Sequence, residues 1–464
     1  MASNTISGDT TVPYKSSLLI PAVDLSLPAG SQNVNTLASS LAGGQPLSVK
    51  WFGAKGDGVT DDAAAIRAAM AAAGYGGRID FPPSSGAYII NSVINVAPTN
   101  GTQSGLQFTG SRKGTVISPG ASMTQLFNIT GNEVSFTGIS FTNVSNHAAN
   151  GVALTQASEP SDYSVLFDNC CFIGFNAATG NAGIVANKIS QMSITRCEFI
   201  NNDVHLLMTD VQNTTIDGNY MLGGRIGMHW LLGSGESQAL EPQGVQITNN
   251  CILLNVANGA GIQIDCAIEF YIGSNVVDCY ATGSTAVLMN TSGSDAVAAI
   301  KLIGNWLAGG AGAYSVFCAG NTSGIDLISN TILPNNSNTY LAGISLSSTN
   351  GYTIIANNFL AMPGLPPEIS TSGTVNGNVF GNKSSNSGGN STTNIVTNIA
   401  TTGVAGVSAG KFTLSSTATI TSGAGAPGTV VQPAGSLYLN TSGGAGAHLY
   451  VSQGGGSWTA VASV

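Results

Sequence analysis

Apolar residues recur along the chain in pairs five positions apart, with polar or small residues between them. The unit reads apolar, two variable residues, a small or amide residue, one variable residue, apolar. It occurs at 136–141 (FTGISF), 167–172 (FDNCCF), 194–199 (ITRCEF), 216–221 (IDGNYM) and 247–252 (ITNNCI). It returns at 272–277 (IGSNVV), 302–307 (LIGNWL), 327–332 (LISNTI), 354–359 (IIANNF) and 375–380 (VNGNVF). In seven of these ten units the fourth residue is Asn: Asn219, Asn250, Asn275, Asn305, Asn330, Asn357 and Asn378. Successive fourth positions are 21 to 31 residues apart, the length that three short strands and three turns require. Asn suits a repeated corner because it tolerates the left-handed backbone region and its amide can bond the equivalent Asn one coil away. The pattern predicts an all-β fold, a right-handed single-stranded parallel β-helix of about ten coils, stacked at about 4.8 Å per coil.

The ends of such a stack expose unpaired strand edges and must be covered. Residues 61–73 (DDAAAIRAAMAAA) carry the one strong helix pattern, with Thr60 or Asp61 to cap its start, an Ala-rich interior and Gly74 to end it. Its position before the first coil predicts an N-terminal capping helix. The amide corners stop after Asn378, and 383–394 (KSSNSGGNSTTN) reads as a flexible linker. Beyond it, 395–464 is β-rich, with alternating strands at 437–440 and 448–452 ahead of Trp458. Four parts follow: a polar N-terminal attachment or linker segment, 1–48, with Pro13, Pro21 and Pro28; a β-helix domain, 49–382; the linker; and a small C-terminal β module.

Composition narrows the function. Charged residues make up 8% of the chain, hydrophobic residues 43%, and the formal net charge is −9. Low charge with this apolar content fits a packed β protein rather than a disordered one. The acidic balance lacks the basic surface that nucleic acid needs. No apolar run of about 18 residues predicts a membrane span. The start, MASNTISGDTTVPYKSS, has neither the basic residues nor the apolar stretch of a secretory signal. Cys170, Cys171, Cys197, Cys251, Cys266, Cys279 and Cys318 form no CxxC pair and read as free buried thiols. Folding in a reducing cytoplasm, with release by cell lysis, is the expectation.

Chemistry on a parallel β-helix belongs on outward positions of neighbouring coils, where aligned side chains stand about 4.8 Å apart. The strand after each corner can be aligned by an inward pair: Ile184/Ala186, Val204/Leu206, Ile226/Met228, Ile262/Ile264, Ala286/Leu288, Val316/Cys318 and Ile344/Leu346. One outward file then holds Asp203 and Arg225. A second holds Val185, His205, Gly227, Gln263 and Val287, and a third Asn187, Leu207, His229, Asp265 and Met289. Asp203 and Asp265 fall about 16 Å apart, too far for a glycosidase pair, which needs about 5 to 9.5 Å. His229 and Asp265 fit a base and the group that orients it. The turn 233–244 (GSGESQALEPQG) adds Glu236 and Glu241, either of which can pair with Asp265 for hydrolysis. The candidate catalytic residues are therefore Asp265, Glu236, His229 and Glu241, with Asp203, His205, Arg225 and Gln263 binding substrate. Arg225 beside His205 would equally serve a lyase, holding a uronic acid carboxylate while a base removes the neighbouring proton. Val185, Leu207, Val287, Phe317 and Met289 make an apolar stripe on the same face, suited to contact between copies. Neither a metal site nor a cofactor is expected.

Two stretches, 51–66 (WFGAKGDGVTDDAAAI) and 76–90 (GGRIDFPPSSGAYII), closely resemble the opening segment of the pectate-lyase-like superfamily of β-helix proteins. That resemblance implies a β-helix in contact with polysaccharide; the superfamily includes lyases, glycoside hydrolases and many bacteriophage tailspikes. It does not imply one reaction. Asp57, Asp61 and Asp62 within it suit a turn and a helix start rather than catalysis. The polygalacturonase pattern is missing: the one Asp-Asp is in the cap, no His precedes Gly, and Arg112 and Lys113 are adjacent. Residues 435–461 resemble a small module at the ends of phage tail proteins, which implies a trimerisation or receptor-contact piece. The implied protein is a homotrimeric phage-type tail spike, made in the host cytoplasm and acting outside it. It would join tail or baseplate proteins through its N-terminus and bind, and depolymerise, a host surface polysaccharide. A non-enzymatic adhesion spike and a secreted pectin-type lyase or hydrolase are the alternatives.

Overall fold

The computed structural model describes residues 45–97, 105–156, 161–236, 241–291, 295–335, 340–347, 352–361, 369–372, 376–380, 382–384, 407–408, 411–413, 419–428, 431–442 and 449–461. The chain is an all-β parallel β-helix of about 9 turns with few helices and a small C-terminal sheet. It divides into two compact units, Met1–Leu207 with Gly218–Tyr220, and Met208–Asp217 with Met221–Val464.

In the first unit the repeated apolar positions stack in register from coil to coil. Phe136 pairs with Phe167, and Phe167 with Ile194; Phe141 pairs with Phe172, and Phe172 with Phe199. The rings lie face to face inside the solenoid, Phe108 on Phe136 at 4.7 Å, Phe136 on Phe167 at 5.4 Å and Phe172 on Phe199 at 5.0 Å. Large apolar residues at equivalent strand positions repeat the same packing solution at each step.

Two corners here are thiols. Cys170 N–H donates to Cys197 Sγ at 3.4 Å, and Cys197 N–H donates to Asn219 Oδ1 at 2.8 Å. The side chains return the bond one coil back, Cys170 to Phe136 O, Cys197 to Phe167 O and Asn219 to Ile194 O. A sulfur thus takes over the role of the amide, as a weaker donor and acceptor. All seven cysteines are free, six of them buried and Cys251 half-buried.

The helix spans Ala63–Ala73, beginning two residues later than its pattern predicts. Both preceding carboxylates bind main-chain N–H groups from positions ahead of the helix. Asp61 accepts from Ala63 N and Asn91 N, each at 3.1 Å, and bridges to Ile89. Asp62 turns back to accept from Lys55 N at 2.6 Å and Gly56 N at 3.0 Å. Asp57 accepts from Val59 N, Thr60 N and the Thr60 hydroxyl, and these donors hold its pKa down at about 2.

The second unit carries the amide ladder. Asn250 N–H and its side-chain amide both donate to Asn275 Oδ1 at 3.0 Å, and Asn275 repeats this onto Asn305, Asn305 onto Asn330, Asn330 onto Asn358, and Asn358 onto Asn382. Each amide also donates to a main-chain carbonyl of the preceding coil, as Asn305 does to Ile272 O at 2.9 Å. The last two corners are Asn358 and Asn382, not Asn357 and Asn378. Leu327 pairs with Ile355 and Ile355 with Val379, so both units are shifted from the frame that starts at Ile354 and Val375. Adjacent Ile354 and Ile355 followed by adjacent Asn357 and Asn358 let the unit fit in two frames, and a slip of one residue exchanges the two faces of a strand. Asn357 stands exposed just before the corner with φ 55°, and Asn378 lies within a strand.

The C-terminal sheet is mixed rather than coiled. Thr419–Gly423 runs parallel to Leu437–Asn440, which pairs antiparallel with Leu449–Gly454, and that with Ser457–Ala460. Tyr438, Tyr450 and Trp458 cluster on one side of it, Tyr438 to Tyr450 at 6.3 Å and to Trp458 at 5.9 Å.

Candidate functional site

In the second unit, strand Ile226–Leu231 pairs in parallel with Ala260–Ile264, then Thr285–Asn290, Tyr314–Ala319 and Ala342–Ser347. The register places His229 opposite Gln263, followed by Leu288, Phe317 and Ser345, as the outward file. Trp230, Ile264, Met289, Cys318 and Leu346 form the neighbouring inward file, all fully buried.

This corrects the sequence alignment in two places. Met228 and Trp230, rather than Ile226 and Met228, lie opposite Ile262 and Ile264. Val287 and Met289 point inward, so the outward apolar residues here are Leu288 and Phe317. The cause is a bend at the strand start, where three consecutive residues are buried before alternation begins. The middle one is Gly227, Gly261 or Ala286; at the two glycines a Cβ would sit 2.3 Å from Gly261 O and 2.2 Å from Val277 Cγ1. A pattern reading that assigns every second residue to one face cannot register such a bend.

The displaced register still brings the central pair together. His229 Nε2 lies 2.7 Å from Asp265 Oδ2 across two adjacent coils, with 19% and 29% of the two side chains exposed. Gln263 Nε2 donates to Oδ1 and Oδ2 of Asp265 at 3.1 and 3.2 Å. The carboxylate is thus clamped between an amide and an imidazole at the outer surface. Such a clamp fixes the ring's orientation and its tautomer.

Glu241 approaches the same corner. The Cys266 thiol, next to Asp265, donates to Glu241 Oε2 at 3.6 Å. Partial burial pushes the Glu241 carboxyl above the usual range, and the thiol's hydrogen bond opposes that rise. Burial likewise pushes the Cys266 thiol up to about 12, so the sulfur stays protonated as a donor. Replacing Cys266 by Val removes the donor and adds one methyl group. In Cys266→Val, any pH–rate limb that depends on protonated Glu241 is expected to shift to higher pH. A limb that stays put or moves down would separate the thiol from Glu241.

Glu236 sits in a tight turn, its N–H donating to Gly233 O at 3.0 Å. Asp210, which the sequence reading passed over, anchors that turn. Its buried carboxylate accepts from Gly233 N at 2.7 Å, and a Cβ on Gly233 would lie 2.6 Å from Asp210 Oδ2. An acid immediately after one apolar strand, and a Gly just after the next, was the available signal. Arg225 is half-buried at the opposite end of the His229 strand, four residues and about 13 Å along it.

Two predicted contacts lie in the first unit. Asp203 accepts from Gly180 N at 2.6 Å and holds a turn. His205 is not outward: it is fully buried, with Nδ1 3.1 Å from Asn202 Nδ2 and its ring 6.0 Å from Phe199. It occupies the strand-start bend, following Gly183 in the adjacent coil, where its alternation partner would have faced solvent.

The chain belongs to the family described as Rhamnogalacturonase A/epimerase, pectate lyase-like, whose model matches residues 47–285. No curated protein matches it in sequence. Among solved structures, it is similar to the mannuronan C-5 epimerase AlgE6 A-module of Azotobacter vinelandii, at 17% identity and a TM-score of 0.52, covering 73% of this chain and 99% of that one. It is also similar to the Dettilon tailspike protein, at 14% identity and a TM-score of 0.55, covering 76% and 69%. At these identities the likeness is one of fold.

Proposed function

We propose that the protein is a polysaccharide depolymerase that cleaves a glycosidic bond on the outer face around His229. The observation that carries this reading is the 2.7 Å contact between His229 Nε2 and Asp265 Oδ2, with Gln263 clamping the carboxylate. With Nε2–H given to Asp265, Nδ1 is the basic nitrogen that takes a proton from water or from the sugar ring. Glu241, whose carboxyl burial pushes above the usual range, supplies the acid that protonates the departing oxygen. Glu236, on the turn held by Asp210, and Arg225 would contact flanking sugars. His205 takes no part.

The wider setting proposed is a phage-type tail spike acting on a host surface polysaccharide. Support comes from the resemblance of 435–461 to phage tail modules and from a fold shared with a tailspike protein. In this setting residues 1–48 join the tail or baseplate, and the C-terminal β module holds three copies together or meets the receptor.

The test is incubation of the full chain with mannuronan, rhamnogalacturonan and a purified bacterial O-antigen, followed by size-exclusion chromatography. Reducing-end and unsaturated-sugar assays then distinguish hydrolysis from elimination. A fall in polymer size on at least one of them is expected. Binding without cleavage would leave an adhesion spike, and neither binding nor cleavage would remove the polysaccharide reading.

A further inference from the structure

A different face of the second unit carries exposed aromatic residues in file. Strands Cys251–Leu254, Val276–Cys279, Trp306–Gly309, Thr331–Pro334 and Phe359–Leu360 pair in parallel, so Cys251, Val276, Trp306, Thr331 and Phe359 form one outward file. Val276 is 41% exposed, Trp306 45% and Phe359 43%. Trp306 and Phe359 are two coils apart, about 10 Å, close to the repeat of a disaccharide in an extended chain. Beside them runs a polar file. Asp278 lies opposite Ala308, and the small Ala308 lets Asn335, from the next coil, reach across to donate its amide to Asp278 Oδ1. The Tyr280 hydroxyl also bonds Asp278, while the residue stays 52% exposed.

An interface between protein copies on this face would have to strip water from the Asp278 carboxylate, which an apolar partner cannot replace. Sugar hydroxyls replace that water by donating to the carboxylate, while the ring C–H faces stack on the aromatic planes. We infer that this face is a second polysaccharide-binding site, holding an extended, hydroxyl-rich chain along the coil axis over Trp306 and Phe359, with Asp278, Asn335 and Tyr280 as its polar edge. The inference rests on the polysaccharide reading above but not on the chemistry at His229. A chain held here would be kept on the molecule between cleavage events.

Affinity electrophoresis of the full chain in gels cast with mannuronan, rhamnogalacturonan or O-antigen tests it, alongside native mass. Wild type is expected to be retarded by at least one polymer. Trp306→Ala with Phe359→Ala is expected to weaken that retardation at least fivefold, and Trp306→Tyr to keep most of it. Cleavage of short oligosaccharides, which reach only the His229 face, should be unchanged in the double variant. Equal retardation of wild type and double variant, with wild type bound, overturns this site and leaves the functional reading standing. A drop in native mass on substitution also overturns it, assigning the face to contact between copies. No retardation of wild type by any of the three polymers removes both.

Discussion

Replacing Asn305 by Ala is expected to destabilise the β-helix by about 3–5 kcal/mol, because two buried main-chain groups are left unpaired at about 1–3 kcal/mol each. Asn305 Oδ1 accepts both Asn275 N–H, at 2.9 Å, and the Asn275 amide, at 3.0 Å. Its own amide serves Ile272 O and Asn330 Oδ1, both at 2.9 Å. The substitution strands Asn275 N–H and Ile272 O on the preceding coil and removes one of the two donors to Asn330 Oδ1, in a site with no access for water. The control is Asn357→Ala. Asn357 is exposed and outside the ladder, so only its left-handed backbone is at stake, about 1 kcal/mol. Denaturant unfolding followed by circular dichroism should rank the two variants in that order. Equal losses would mean that the corner amides do not act as a connected network.

The second large effect is catalytic. His229→Ala is expected to lower kcat by about 10²–10⁴-fold on the polymer that wild type cleaves, the usual contribution of a positioned base. Asp265→Asn should also act mainly on kcat, because an amide can present either its donor or its acceptor to Nε2 and no longer fixes the tautomer. Both side chains lie at the surface, 19% and 29% exposed, so the fold should tolerate either change. Retained circular dichroism with lost kcat supports the assignment. A loss confined to KM would instead make the pair a sugar-binding contact.

The two registers explain how far the sequence carried. From Ile216 to Leu327 each coil offers one apolar residue three positions before its corner Asn, and the observed pairing follows that phase without exception. At Ile354–Ile355, followed by Asn357–Asn358, two frames fit the unit equally, and the frame slips by one. The site strands fail for another reason. Gly227 and Gly261 are buried because backbone and neighbouring atoms fill the space a side chain would need, and hydropathy does not encode this. His229 and Asp265 were still paired correctly, since a shift within the coil left them within side-chain reach of each other. His205 was misplaced by the same bend, because an imidazole that bonds Asn202 within the core looks, in sequence, like any surface histidine. Asp210 and Cys266 act through a main-chain N–H and a thiol donor, which no spacing rule reports.

The most direct test of the central claim is a crystal structure of Glu241→Gln soaked with an oligosaccharide of the polymer that wild type cleaves. The sugar is expected across the outward file of His229 and Gln263, with a glycosidic oxygen within hydrogen-bond reach of residue 241. The same oligosaccharide bound elsewhere, with the His229 face vacant, would contradict that claim.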